Sequence, residues 1–120
     1  MKPKTDRKKR IEQCDALWRW IVKERGAGRC QYNGCCNRGE EAHHIFSRRN
    51  MSVRFDIDNG ILLCRDCHSF AHTRPEEFNA VMWLDMGFIF DGLQEKSKVI
   101  VQYKNFELSE IVERLKRHGG

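Results

Sequence analysis

Four of the five histidines in this chain fall between residues 43 and 72, inside a frame of paired cysteines. In order, the elements are Cys30-x4-Cys35, His43-His44-Ile45, Asp58-Asn59-Gly60, Cys64-x2-Cys67-His68 and His72. Thiolates are soft ligands and imidazoles borderline ones, so the two sets suit different metal ions and different work. Cys64-x2-Cys67 can bite one tetrahedral zinc ion from a tight turn, and Cys30-x4-Cys35, eased by Gly34, supplies a second pair about thirty residues upstream. Cys36 competes with Cys35, since a spacing of five also works, and Cys35 is favoured. Cys14 falls on a helical stripe and reads as a buried free thiol.

His43 and His44 cannot point the same way from an extended segment, because successive side chains alternate faces. One can hold a metal while its neighbour does other work. His68 and His72, one helical turn apart, can converge on the ion that the first holds. The remaining imidazole, with an ordinary pKa near 6.5, is then free to deprotonate water at neutral pH. Ser47, Arg48, Arg49 and Arg54 lie in the loop that follows, where arginine forks suit phosphate oxygens. The run Lys2, Lys4, Arg7, Lys8, Lys9 and Arg10, opposed only by Asp6, reads as a basic arm at 1–10 for a phosphate backbone.

Joined in this order, Ala42-His43-His44-Ile45, Asp58-Asn59-Gly60-Ile61-Leu62-Leu63-Cys64 and Cys67-His68-x3-His72 resemble the HNH nucleases, whose fold is the ββα-metal finger. The separations are fifteen residues from His44 to Asn59 and nine from Asn59 to His68, similar to the colicin-type nuclease domains. The resemblance covers Cys30 to His72. It implies that His44 is the general base, that Asn59 braces the loop and orients His44, and that His43 and His68 bind one catalytic divalent ion, with His72 as a further ligand. Many family members carry Asp immediately before the base, where this chain has His43. An imidazole there moves the preference from Mg2+ toward Mn2+, Ni2+, Co2+ or Zn2+.

Several elements must position these groups. Ile11, Cys14, Leu17, Trp18, Ile21 and Val22 recur at helical spacing from Ile11 to about Arg25, with Gly26 as the stop and the tryptophans expected in the core. Phe55 to Leu63 reads as extended, interrupted at Asn59-Gly60. A short helix from near Cys67 carries His68 and His72. Thr73-Arg74-Pro75-Glu76 looks like a capping box, opening a helix that runs to Gly87. Residues 88–102 are ambiguous, with helix preferred over a Val99-Ile100-Val101 strand. Leu108, Ile111, Val112 and Leu115 mark a last helix closing at His118-Gly119-Gly120. The expected class is α+β and mostly helical: a ββα-metal finger stapled by a structural four-cysteine zinc site, flanked by N- and C-terminal helices.

With 120 residues and 40% hydrophobic composition, the chain fits one nuclease domain at 11–120, with motif core 30–72 and a helical extension 73–120. The first residues carry no apolar run of the secretory kind and no stretch suits a membrane span, so an intracellular, cytoplasmic protein is expected. Twenty-two Lys and Arg against seventeen Asp and Glu give a net charge of +5, a modest excess that is unevenly distributed, and the resemblance implies double-stranded DNA as the partner. The resemblance implies hydrolysis of phosphodiester bonds in DNA, by nicking, and a stand-alone bacterial or phage type of enzyme. Specificity should be weak or supplied by a partner, such as one in phage packaging, because no second module can read bases. The rival from another class is a noncatalytic zinc module that binds nucleic acid, for which a free base beside Asn59 has no use. A nucleobase deaminase is excluded because Phe46 stands where its glutamate would be and Leu63 where its proline would be.

Overall fold

A computed structural model of the chain describes residues 3–119. Lys2, in the basic run, and Gly120, in the expected C-terminal stop, lie outside the described residues.

Helix α1 spans Asp6–Gly26 and starts earlier than the apolar stripe alone predicts. Thr5 caps it, its hydroxyl accepting from the Lys8 N–H at 3.2 Å, with Asp6 in the first turn to complement the helix dipole. Much of the basic run is therefore helical. Arg7 and Arg10 donate to the Tyr103 carbonyl and the Ser109 hydroxyl of the C-terminal segment, and Lys4 pairs with Glu12, while Lys8 and Lys9 stand exposed. At the other end Ala27, not Gly26, takes the left-handed cap conformation, at φ 52°. Gly26 serves close approach instead: a Cβ there would lie 2.5 Å from Leu62 Cδ2.

Strand β1 (Glu41–His44) pairs antiparallel with β2 (Gly60–Leu63), so that His43 faces Ile61 and His44 faces Gly60 across the ladder. Between them lie α2 (Met51–Arg54) and a 3-10 turn (Ile57–Asn59). The extended segment expected over Phe55 to Leu63 is thus confined to its last four residues. The Asp56 carboxylate accepts from the Asp58 N–H and the Asn59 N–H donates to the Asp56 carbonyl, so the backbone is satisfied locally and has no need of a ladder.

Helix α3 (Arg65–Thr73) begins two residues before Cys67, with Cys64 as its cap, and completes the ββα unit. Helix α4 (Pro75–Met86) follows with Pro75 in its first turn, but no capping box forms. Thr73 still belongs to α3 and its hydroxyl donates back to the Ser69 carbonyl at 3.0 Å, which leaves Arg74 as a cap without a side-chain bond. Helix α5 (Phe88–Ser97) resolves the ambiguous segment as helix, and residues 99–104 are irregular rather than strand. Helix α6 (Asn105–Gly119) closes the chain.

Two apolar clusters form. One joins Ile45, Ile61, Leu63, Ala71, Phe78, Met82 and Phe90 beneath the finger; the other joins Cys14, Ile21 and Phe55 to Leu108, Ile111, Val112 and Leu115 of α6. Cys14 is buried as expected, and burial pushes its thiol up to about 11. Of the tryptophans only Trp18 is in the core; Trp20 and Trp83 are half exposed. Among the described residues no helix is long and apolar enough to cross a membrane.

Candidate metal centres and active site

The four cysteines favoured by spacing come together. The sulfurs of Cys30, Cys35, Cys64 and Cys67 all lie within 4.8 Å of one another, whereas Cys36 is exposed and outside the group. Cys35 and Cys64 are 3.9 Å apart, close to the separation of about 3.8 Å that one tetrahedral ion imposes at a Zn–S distance of about 2.3 Å. The Cys67 N–H and the Asn37 amide both donate to Cys64 Sγ, at 3.3 and 3.7 Å. Sulfur as a double acceptor is the thiolate's role, and the Cys67 N–H in particular pulls the Cys64 pKa down to about 7. The donor set therefore fits a structural zinc. The second pair sits on a knuckle closed by the Cys30 N–H to Asn37 carbonyl and Cys35 N–H to Tyr32 carbonyl bonds, both 2.9 Å. Asn37 is not visible in the sequence as a participant, because nothing in its spacing sets it apart.

Since Cys64 caps α3, the cysteine site fixes the helix that carries His68 and His72. Alternation along β1 sends His43 to that side. Its ring lies 5.2 Å from His68 and 5.3 Å from His72 between centroids, with Phe78 behind it. The Nε2 atoms of His68 and His72 approach to 3.1 Å, and one nitrogen from each of the three rings lies within the same 4.8 Å span. Burial and the two neighbouring imidazoles hold the His43 pKa down to about 4, and burial lowers that of His68 as well. Imidazole nitrogens gathered at one point are what a divalent ion needs, so these three residues fit the implied metal.

His44 turns to the opposite side. Its Nε2 lies 3.1 Å from the Arg54 carbonyl. A carbonyl only accepts, so Nε2 carries the proton and the Nδ1 lone pair is left to act as a base. Burial, the larger effect, holds the His44 pKa below the ordinary imidazole value, against the opposing hydrogen bond to Arg54.

Asn59 is fully buried and ties the loop between the strands together. Its Oδ1 accepts from the Phe46 N–H at 2.7 Å, and its Nδ2 donates to the Phe46 and Val53 carbonyls at 2.9 and 3.1 Å. It makes no hydrogen bond to the His44 ring; it holds the loop whose Arg54 carbonyl does. Asn59→Ala strands the Phe46 N–H and carbonyl, while the Val53 carbonyl keeps the Asp56 N–H, and should cost about 2–5 kcal/mol in denaturant unfolding. A change below about 1 kcal/mol would contradict this bracing.

The basic candidates divide. Arg48 lines a cleft of about 450 Å³ together with Ser47 and all four clustered histidines, and Arg49 is exposed next to it. Arg54 does not reach this cleft: its guanidinium forms a bidentate pair with Asp15 of α1 at 2.6 and 2.9 Å. Arg10 is held by Ser109.

A two-stranded antiparallel sheet followed by a helix, with convergent imidazoles on one side of the first strand and a single oriented imidazole on the other, is the architecture of a ββα finger. Residues 29–74 match the family model described as HNH endonuclease. No curated protein and no solved structure matches the chain.

Proposed function

We propose that this protein is a metal-dependent endonuclease that hydrolyses phosphodiester bonds of double-stranded DNA, one strand at a time and with weak sequence preference. The observation that supports it is the division of labour between two adjacent histidines: His43 with His68 and His72 at one point, His44 apart from them with its Nδ1 available. His43, His68 and His72 would hold the ion, and an all-imidazole set favours Mn2+, Ni2+, Co2+ or Zn2+ over Mg2+. A bound divalent ion supplies polarisation of the scissile phosphate and stabilisation of charge on the leaving oxygen. His44 Nδ1 takes the proton from the attacking water, while the bond from Nε2 to the Arg54 carbonyl keeps the ring in place as it becomes charged. Asn59 keeps that carbonyl where it is by holding the loop.

Arg48 and Arg49 grip the backbone phosphates beside the cleft, and Lys8 and Lys9 extend the basic surface at the start of α1. Arg48→Ala with Arg49→Ala should weaken DNA binding and flatten its salt dependence, by about 0.9 in slope for each phosphate no longer neutralised. Titrations of labelled duplex at several salt concentrations measure this, and an unchanged slope would remove both residues from the interface.

The direction of the His44 shift sets the pH dependence. A base whose pKa lies below 6.5 stays neutral down to that pH, so the acid limb of cleavage rate against pH should lie below 6.5. His43 and His68 are displaced the same way, so protonation of those two does not raise that limb. A limb centred above 6.5 in a rate profile at saturating metal would count against His44 as the base.

A further inference from the structure

Trp18 lies on α1, outside the residues matched by the family model, and its indole is buried against the imidazole of His44. The rings stack face to face, with centroids 3.8 Å apart and planes 6° from parallel. The indole is itself held on two sides. Its Nε1 donates to the Asp56 carbonyl at 2.8 Å, and its far edge closes on Gly60, where a Cβ would lie 2.8 Å from Trp18 Cζ2.

The two constraints on His44 are complementary. The bond from Nε2 to the Arg54 carbonyl fixes rotation within the ring plane, and the stack fixes the plane itself. Together they leave Nδ1 a single direction. The same helix also steadies the accepting carbonyl, since Asp15, one turn before Trp18, holds the Arg54 guanidinium in its bidentate pair. The glycine in Asn59-Gly60 belongs to this arrangement. Its φ of −126° is ordinary extended backbone, and the space that a side chain would occupy is taken by Trp18 and Val22.

We infer that Trp18 is a positioning residue for the histidine base, supplied by a helix outside the matched domain, and that its flat face holds the His44 imidazole in the plane from which Nδ1 takes the proton. The inference rests on the nuclease reading of the site. A leucine fills much of the indole's volume but offers no flat face, whereas phenylalanine offers a smaller one. Small errors in the direction of a base are costly to the chemical step and leave substrate binding alone.

The test combines spectroscopy with kinetics on the zinc-loaded full chain. In the wild type, the His44 ring protons, assigned by their loss in His44→Gln, should resonate well upfield of a free imidazole's because they lie over the indole. In Trp18→Leu they should move downfield, and kcat for plasmid nicking should fall about tenfold to a hundredfold with KM unchanged. Trp18→Phe should restore most of the rate. Unshifted His44 resonances in the wild type overturn the proposal even if the leucine variant fails to fold. A folded, zinc-loaded Trp18→Leu protein with wild-type kcat overturns it equally. A wild-type protein with shifted resonances that cleaves no DNA under any divalent ion overturns the nuclease reading instead, so the two failures are told apart.

Discussion

Stripping zinc from the protein with a strong chelator at neutral pH should unfold it. Four sulfurs gathered at one point are tied together by the ion they would share, and metal binding at such sites contributes about 10–16 kcal/mol in small zinc modules. A domain of this size has about 5–15 kcal/mol of stability in total, so the metal contribution is comparable to the whole. The loss should not stay local. Cys64 caps α3, the Leu62 carbonyl next to the knuckle accepts from the Gln31 N–H, and Leu62 lies under Gly26 at the end of α1. The cysteine-bearing hairpin is thereby packed into the helical half. Helicity by circular dichroism should fall on chelation and return when zinc is added back, and Cys64→Ser should reproduce the loss. Unchanged melting in chelator, with no zinc by elemental analysis, would contradict the structural site.

The ligand sets are legible in the sequence because their residue types are rare and their spacings short. A pair of thiolates two residues apart and a pair of imidazoles four apart constrain geometry whatever surrounds them, and both sets converge in the structure. Cys35 rather than Cys36 joins the cluster, because the turn after Tyr32 places the first sulfur inward and leaves the second exposed. Long-range partnerships are not legible. Asp15 and Arg54 are thirty-nine residues apart, and nothing local announces that the arginine is already occupied. Trp18 sits on an amphipathic stripe, where a residue that packs and a residue that orients a base look alike. The same limit explains Phe55 to Asn59, whose apolar content suggests a strand while local bonds from Asp56 and Asn59 curl it into a turn. Gly26 does end its helix, as its position in the sequence suggests, but it is required by Leu62 rather than by a left-handed cap.

His44→Ala should lower cleavage by about a hundredfold to ten-thousandfold, the usual contribution of a general base. Nothing else should change comparably. The imidazole contributes a ring stack and one hydrogen bond to a carbonyl, and removal of either is worth about 1 kcal/mol, too little to unfold a domain held by metal. His44 belongs neither to the cysteine cluster nor to the three convergent imidazoles, so zinc content and affinity for the second ion should be retained. His43→Ala provides the contrast. It should weaken binding of the catalytic ion, and its defect should be partly recovered by raising the metal concentration, whereas that of His44→Ala should not. Equal rescue of both variants by metal would show that the two adjacent histidines do not divide the work.

The most direct measurement is the fate of supercoiled plasmid incubated with purified protein across a panel of divalent ions, in parallel with His44→Ala. Relaxed circles that accumulate only with added ion and only with the wild-type protein are the predicted result. Plasmid left supercoiled by a folded, zinc-loaded wild-type protein under every ion would contradict the nuclease reading, as would full nicking by the His44→Ala variant, and the former would leave the rival reading of a zinc module that binds DNA without cutting it.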